Sequence, residues 1–546
     1  MKKKLIFFSL AIFVFFACAS DPDIFTPLDY SSADMVENEI SNITVLSEKS
    51  SVQGLWRAYL LKTNCKDDPV LLEKATGIFE NCVNKIVQEY NSALSAKDYT
   101  KAYKLHVSLD AVKVQNFSEY SQSQIYQFLK DSFPLVPTNS AAGKPVYSLI
   151  NGTVTVWVDL GIQVENGMGY PNYVIGSGFF IRDSGYIVTN YHVIQTEVDP
   201  EYEGYSRLYI KLASDPDTRI PAKVVGWDPV LDLALLKTEI DAPLTFSLGS
   251  SEDLSVGDRI YAIGSPAGLD RTLTSGIVSS VDRSLFTIGS VMQIDAAVNS
   301  GNSGGPIVDS NGNVQGITFA GMLEYTGLNF AIPVEYLKVN LPYLLDGGLR
   351  KHGWISAFGD EISRDEFTSR PAGVEVQYVK PGGSAYRSGL KVKDVITSVN
   401  GIAVTNLNSF HEALMHFQYD TIVEISVWSE DGTTKNLPVY IEERPKSPGY
   451  ELYKSDLVSN VFLPIFGMEL TPVNSSKKLF AISNVVKGSV ADESGFSVHD
   501  PLEIVKVHFS EDKKIIYSQV FSKKRKNGYL EVNIMIAASL DSPNYF

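Results

Sequence analysis

Gly301-Asn302-Ser303-Gly304-Gly305-Pro306-Ile307-Val308 is the stretch whose local geometry decides the fold. Its opening letters satisfy Gly-x-Ser-x-Gly, which in α/β-hydrolases marks a sharp turn from a strand through a nucleophilic serine into a helix. Here the serine is followed by two glycines, a proline and the strand formers Ile307 and Val308, which start a helix poorly. The helix-bearing turn is therefore set aside for a tight loop leading into a strand. Glycines around a serine let the backbone fold until two amide N–H groups converge beside the hydroxyl, and Gly301 and Ser303 are expected to supply them. That pair would stabilise an oxyanion, which an isolated serine could not do.

A serine hydroxyl needs a general base held on the same domain. His192 is the only histidine between His106 and His352, and it stands in Ile187-Val188-Thr189-Asn190-Tyr191-His192-Val193-Ile194, where an apolar strand ends and can present an imidazole at a cleft edge. A lone histidine is usually a solvated or satisfied structural residue; the need of Ser303 for a base argues otherwise here. The third member of such a set is a buried carboxylate that orients the imidazole. Asp232 lies among apolar residues in Asp228-Pro229-Val230-Leu231-Asp232-Leu233-Ala234-Leu235-Leu236-Lys237, where an unpartnered carboxylate would carry a large desolvation cost. Asp228, beside a proline turn, is the alternative.

Around these residues, 146–340 carries short β-rich runs such as Gly152-Thr153-Val154-Thr155-Val156-Trp157-Val158 and Arg259-Ile260-Tyr261-Ala262-Ile263-Gly264, separated by Gly, Pro and Asp turns. Many short strands uninterrupted by a long helical pattern point to an all-β barrel or sandwich. Upstream, Val70, Leu71, Leu72, Ala75, Ile78 and Phe79, then Val83, Ile86 and Val87, repeat near the helical period, so about 32–132 forms a separate helical domain. Within it, 90–103 weakly resembles one tetratricopeptide-type hairpin, and one copy is not an array. Phe133-Pro134-Leu135-Val136-Pro137 and Ser140-Ala141-Ala142-Gly143-Lys144-Pro145 break all periodicity, as a linker does.

A chain of 546 residues is too long for one core and reads as modular. Its 44% hydrophobic and 20% charged content fits a globular protein, and a net charge of -16 argues against nucleic acid as a partner. Lys2, Lys3 and Lys4 precede an apolar run from Leu5 to Phe16, which is the pattern of a secretory signal. Phe15-Phe16-Ala17-Cys18 resembles a loose bacterial lipobox, which would make Cys18 a lipidation site and the mature protein a membrane-anchored periplasmic lipoprotein; Ala17-Cys18-Ala19 also fits an ordinary signal peptidase. Cys65 and Cys82 are then the only thiols left for structure. In an oxidising compartment an even pair suits a disulfide worth about 2 to 4 kcal/mol, with two buried free thiols as the alternative.

Thr189-Asn190-Tyr191-His192-Val193, Asp232-Leu233-Ala234-Leu235-Leu236-Lys237 and Asp295-Ala296-Ala297-Val298-Asn299-Ser300-Gly301-Asn302-Ser303-Gly304-Gly305-Pro306 resemble the three signature blocks of the HtrA/Deg trypsin-like serine proteases. Gly176-Ser177-Gly178-Phe179, Gly257-Asp258 and Asn329-Phe330-Ala331-Ile332-Pro333 match further blocks in order. The resemblance implies two six-stranded β-barrels of the chymotrypsin type, with His192, Asp232 and Ser303 in the cleft between them, and a homotrimer. Three positions depart from the pattern: Tyr191 replaces a small residue, Ser300 a proline and Asn329 a glycine. Ala297 stands six positions before the serine, where trypsin-like enzymes that cleave after Lys or Arg carry an acid, so a basic side chain would find no partner there. With Leu328 and Asn329 it should line an apolar, shallow specificity pocket suited to Val, Ala or Ile.

Beyond Pro342, Val379-Lys380-Pro381-Gly382-Gly383-Ser384-Ala385, Ser388-Gly389-Leu390, Asp394-Val395-Ile396 and Val399-Asn400-Gly401 resemble a PDZ domain, and Val486-Lys487-Gly488-Ser489-Val490-Ala491 with Ser494-Gly495-Phe496 is a weaker second copy. The resemblance implies that Trp354, Ile355, Ser356 and Ala357 form the loop that receives a peptide end, with Ser356 where glycine is common; Phe466-Gly467-Met468-Glu469 is the analogous loop of the second copy. The expected division is a signal peptide over 1–17, a helical domain and linker over 18–140, a serine protease domain over 141–347, and PDZ-like α+β modules over 348–446 and 447–546, the second degenerate. The expected function is endoproteolysis of unfolded or misfolded exported proteins, with a protein-binding scaffold or chaperone carrying a latent protease domain as the alternative. No metal cluster or nucleotide loop is apparent, and the chemistry needs no cofactor.

Overall fold

A computed structural model describes residues 25–132, 140–264, 272–283, 288–299, 301–321, 328–473, 479–524 and 530–546. The expected signal sequence and Cys18 lie outside them. The chain begins as helices α1 (Ala33–Lys49), α2 (Ser51–Asn64), α3 (Pro69–Ala96), α4 (Tyr99–Ala111) and α5 (Gln122–Asp131). Polar side chains at Ser32, Ser50, Asp68, Asp98 and Ser121 accept the otherwise unpaired N–H groups of their first turns. On α3 the buried stripe Leu71, Ala75, Phe79, Cys82, Ile86, Tyr90 and Ala93 follows the helical period.

The expected Cys65–Cys82 disulfide is absent, and both thiols are free and buried. Cys65 caps the end of α2 and its Sγ lies 4.0 Å from the Tyr30 carbonyl. Cys82 Sγ instead meets Ser47 Oγ at 3.5 Å, and Ser47 packs against Gly54 near the start of the same helix. The two sulfurs thus sit toward opposite ends of α2, roughly 16 Å apart along its axis at 1.5 Å rise per residue, whereas a disulfide needs Cα atoms within about 7 Å. Burial pushes both thiols above their ordinary pKa.

Two closed barrels follow. The first comprises β1 (Thr153–Glu165), β2 (Met168–Arg182), β3 (Tyr186–Thr189), β4 (Arg207–Leu212), β5 (Ile220–Asp228) and β6 (Leu233–Thr238), with α6 (Tyr191–Val198) between β3 and β4. Its strand order is β5-β4-β1-β2-β3-β6, and β6 pairs back onto β5. The second closes β7 (Arg259–Gly264), β8 (Thr272–Arg283), β9 (Val291–Ile294), β10 (Pro306–Val308), β11 (Val314–Gly321) and β12 (Asn329–Pro333) in the order β10-β11-β12-β9-β8-β7. Strand alternation places Ala234 and Leu236 in the first barrel's core with Val154, Val156 and Ile210, while Leu233 and Leu235 face the seam with Ile263, Val308 and Ile317 of the second. Helix α7 (Val334–Asp346) covers that seam with Val334, Leu337, Leu341 and Leu344, and β13 (Gly348–Leu349) returns to pair in parallel with β5.

The first PDZ-like module contains β14 (Gly353–Trp354), β15 (Ala357–Ile362), β16 (Gly373–Val379), α8 (Ser384–Ser388), β17 (Val395–Val399), β18 (Ile402–Ala403), α9 (Leu407–Met415), β19 (Ile422–Trp428), β20 (Thr434–Tyr440) and β21 (Glu442–Glu443). Its sheet runs β15-β16-β17-β19-β20, with β18 paired to β17. The second contains α10 (Pro448–Ser455), α11 (Val458–Phe466), β22 (Met468–Pro472), β23 (Leu479–Val485), α12 (Val490–Glu493), β24 (Pro501–Phe509), β25 (Ile515–Lys524) and β26 (Leu530–Ser539). It repeats the early part of the first module, but strands β24, β25 and β26 run on as a meander where the first module inserts α9, so among the described residues no helix corresponds to α9. The helical domain shares one continuous core with the first PDZ-like module. Trp56 stacks on Tyr440 at 5.4 Å and donates from Nε1 to the Pro438 carbonyl at 3.0 Å, and Lys104 pairs with Asp420 at 2.5 Å.

Because the thiols are free, dithiothreitol should leave the thermal midpoint of the purified exported chain unchanged. A disulfide would contribute about 3 kcal/mol, so a drop of several degrees on reduction would restore the bond.

Candidate active site

Strand β3 stops at Thr189, and Asn190, in extended conformation, is the N-cap of α6. His192 therefore rides on the first turn of a helix whose N–H groups need acceptors. They come from the β5–β6 turn: the Asp232 carbonyl accepts Tyr191 N–H at 3.2 Å and Asn190 Nδ2–H at 2.9 Å, while Asp232 Oδ1 accepts His192 N–H at 2.8 Å. Oδ2 then lies 2.7 Å from His192 Nδ1. A carboxylate oxygen accepts, so Nδ1 is the donor of this bond and Nε2 is the ring nitrogen left for a second partner. Asp232 is buried whereas the His192 side chain is 43% exposed, so the pair has a sheltered end and an open end. Asp232 holds a left-handed φ of 53°, a conformation that costs a non-glycine residue about 1 kcal/mol or more.

Asp228 has a different set of partners. Its Oδ1 accepts Val230 N–H and Leu231 N–H at 3.0 and 3.1 Å, and its Oδ2 lies 2.8 Å from His352 Nε2. Fully buried, it belongs to the connection between the first barrel and the PDZ-like modules.

The loop bearing Ser303 is held from below by Ser177 on β2. Ser177 N–H donates to the Ser303 carbonyl at 2.8 Å and Ser177 Oγ donates to the Gly301 carbonyl at 2.7 Å. Thr189 Oγ1 in turn donates to the Ser177 carbonyl at 2.7 Å, so the loop is tied to the strand that delivers His192. Gly304 has a φ of 85°, and a Cβ there would lie 2.3 Å from the Ser177 carbonyl and 2.4 Å from Thr189 Oγ1, which excludes any side chain. A Cβ on Gly176 would meet both Val193 and the Ser303 carbonyl, which brings the serine loop and α6 against one another. With their carbonyls engaged, Gly301 and Ser303 leave their N–H groups without an acceptor among the described residues. Ser303 Oγ makes a long contact of 3.4 Å to the Phe319 carbonyl on β11 rather than a hydrogen bond to His192.

Of the expected pocket residues, Ala297 is exposed and Leu328 is half-buried. Asn329 is buried, and its Nδ2 donates to the Ala296 carbonyl at 2.8 Å, bracing β12 against the segment that carries Ala297. Ser300 lies outside the described residues. In the PDZ-like loop, Trp354, Ile355, Ser356 and Ala357 are all buried, and Ser356 adopts a left-handed φ of 65°, the conformation for which glycine is favoured at this place. Its Oγ donates to Glu442 Oε1 at 2.8 Å. Sequence reasoning missed Ser177 and Phe319. The block Gly176-Ser177-Gly178 is visible in the sequence, but its serine has no chemistry of its own to signal a role, and any residue could supply the Phe319 carbonyl.

Residues 176–317 match the family description of a trypsin-like peptidase domain, 361–441 that of a PDZ domain, 449–540 that of a TP0546 family PDZ domain, and 34–129 a domain of unknown function. A probable periplasmic serine endoprotease DegP-like of Halomonas elongata is 33% identical over 330 residues, covering 59% of this chain and 67% of that protein. A protein of the same description from Ectopseudomonas mendocina is 37% identical over 288 residues, covering 51% of this chain and 58% of its own length. A solved HtrA-type protease, AlgW with decapeptide, is 26% identical with a TM-score of 0.44, covering 55% of this chain and 98% of that one. Fold and matches together define a trypsin-like serine peptidase with appended PDZ modules. The chain belongs to the HtrA family of DegP-like serine endoproteases, and the scaffold alternative is not favoured.

Ser177→Ala removes a buried hydroxyl and leaves the Gly301 carbonyl without that donor, so the protease domain should lose about 1–2 kcal/mol of stability. Denaturant unfolding followed by the fluorescence of that domain measures the loss; an unchanged midpoint would mean that the clamp carries no load.

Proposed function

We propose that this protein cleaves peptide bonds of unfolded or misfolded exported proteins, with Ser303 as nucleophile, His192 as general base and Asp232 as the carboxylate that orients it. The observation that carries this reading is the His192–Asp232 pair at 2.7 Å together with a serine loop whose Gly301 and Ser303 N–H groups meet no acceptor among the described residues. A hydroxyl turned from the Phe319 carbonyl toward His192 Nε2 gives its proton to the imidazole as Ser303 Oγ attacks the substrate carbonyl. The oxyanion takes the N–H groups of Gly301 and Ser303, which need no reorganisation because Ser177 already fixes their loop. Asp232 stabilises the imidazolium, which then protonates the departing amine. Water repeats the sequence on the acyl-enzyme and frees Ser303.

Ala297, Leu328 and Asn329 form the specificity pocket in this reading. The absence of an acid at Ala297 disfavours Lys and Arg, which would lose hydration without gaining a partner. The proposed units are 18–140, 141–347, 348–446 and 447–546, with the first PDZ-like module receiving peptides on the loop from Trp354 to Ala357. Family membership supports an exported, periplasmic protein and a homotrimer, and Cys18 after the apolar run supports lipid anchoring.

Ser303→Ala and His192→Ala should each lower casein hydrolysis by about three orders of magnitude or more. Mass spectrometry of the fragments that depend on Ser303 should place most cuts after Val, Ala or Ile. Undiminished cleavage by either variant removes the triad assignment, and a majority of cuts after Lys, Arg or Phe removes the pocket assignment.

Stable anchoring takes more than one acyl chain, as on a fully lipidated cysteine. Cys18→Ser should therefore move the protein from the membrane to the soluble periplasmic fraction. An unaltered membrane fraction would show that Cys18 is not the anchor.

A further inference from the structure

Strand β15 pairs with β16 along one edge, and its other edge is taken by the last residues of the sequence. Phe546 and Ala357 exchange both backbone hydrogen bonds, at 2.8 and 2.9 Å, and Gly359 N–H donates to the Asn544 carbonyl at 3.1 Å. Asn544 Nδ2 returns a bond of 2.9 Å to the Gly359 carbonyl. The segment therefore lies antiparallel on β15, with Tyr545 opposite Phe358. On its far side stands α9, whose His411 Nε2 lies 2.7 Å from the Pro543 carbonyl. Burial pushes His411 down to about 3, so the ring is neutral and donates from Nε2.

Alternate side chains of the segment go to different modules. Phe546 is fully buried against Phe410 of α9, with ring centroids 4.7 Å apart, inside the first module's core. Tyr545 is buried in the second module's core and donates from Oη to the Pro464 carbonyl at 2.9 Å. Arg444, nearly fully buried, bonds the Tyr545 carbonyl, Asp541 Oδ1 at 2.7 Å and the Ser542 carbonyl at 3.2 Å, which fixes the bend that turns the segment onto β15.

Adding a strand at a sheet edge, with an anchoring side chain in a pocket beside a helix, is how a peptide docks on such a module. We propose that residues 543–546 are the resident ligand of the first PDZ-like module, and that a peptide taken from outside enters by exchange with them, carrying an aromatic side chain at the place of Phe546. This rests on the reading of that module as peptide-binding. A tethered ligand acts at high effective concentration, so it competes against a free peptide of the same sequence. The second module, which among the described residues has no counterpart of α9, serves in this arrangement to present the segment.

A fluorescent peptide Asp-Ser-Pro-Asn-Tyr-Phe, matching residues 541–546, tests this by anisotropy with the full chain. Phe546→Asp, which empties the pocket, should bind it about ten-fold or more tightly than wild type, because the occupied groove lowers the competent fraction. Hydrogen exchange gives the second measurement. The Ala357 and Gly359 amides should be protected in wild type, exposed in Phe546→Asp, and protected again when the peptide is added. Equal affinity for both chains would overturn resident occupancy while leaving peptide binding intact. No binding to a Phe546→Asp chain that keeps native exchange elsewhere would overturn the peptide-binding reading and the proposal with it. Rapid exchange of Ala357 and Gly359 in wild type would refute the occupancy without any variant.

Discussion

The carboxylate of Asp232 holds the reacting side of the molecule together. It accepts the His192 N–H of the first turn of α6 and fixes the imidazole, and the carbonyl of the same residue takes two more donors. Those bonds offset the cost of its left-handed backbone. Without them the end of α6 would present unpaired N–H groups to a buried wall. The geometry of His192 is thus set by backbone hydrogen bonds as much as by its own ring contact. This is why the imidazole can stay accessible to solvent and still keep a fixed orientation.

The serine loop obeys a similar constraint from the opposite barrel. The carbonyls of Gly301 and Ser303 both accept from Ser177, which fixes the backbone on either side of Asn302. The glycines serve this close approach, since a side chain on Gly304 would strike β2. A hydroxyl on the first barrel therefore helps to hold the serine loop of the second, and the two barrels are tied across their seam.

The sequence was most legible where chemistry restricts residue type. A nucleophile, a base and a carboxylate leave few candidates, and only His192 stood in the right region. What distinguishes Asp228 from Asp232 is visible only in space: Asp232 bonds His192, whereas Asp228 turns to His352, a residue 124 positions away. Short β-rich runs and turn residues pointed to a barrel or sandwich and the family resemblance to two barrels, while the helical domain showed its helices but not its partner, because Trp56 looks like an ordinary core residue until Tyr440 is beneath it. The cysteine pair misled for a related reason. An even pair in an oxidising compartment suggested a bond, but the direction of α2 carries the two thiols apart. The segment from Pro543 to Phe546 bears no motif; its placement depends on the open edge of β15, which exists only once the sheet has formed.

The buried Asp228–His352 contact has a mechanical meaning. Asp228 and Asp232 belong to one short turn, and one faces the connector to the PDZ-like modules while the other faces the imidazole. Arg350, two residues before His352, is itself buried and bonds Asn340, Met415 and Phe417, so the connector is also held on the N-terminal side of the contact. The short stretch from Asp228 to Asp232 thus carries both the tie to the connector and the tie to the imidazole of His192.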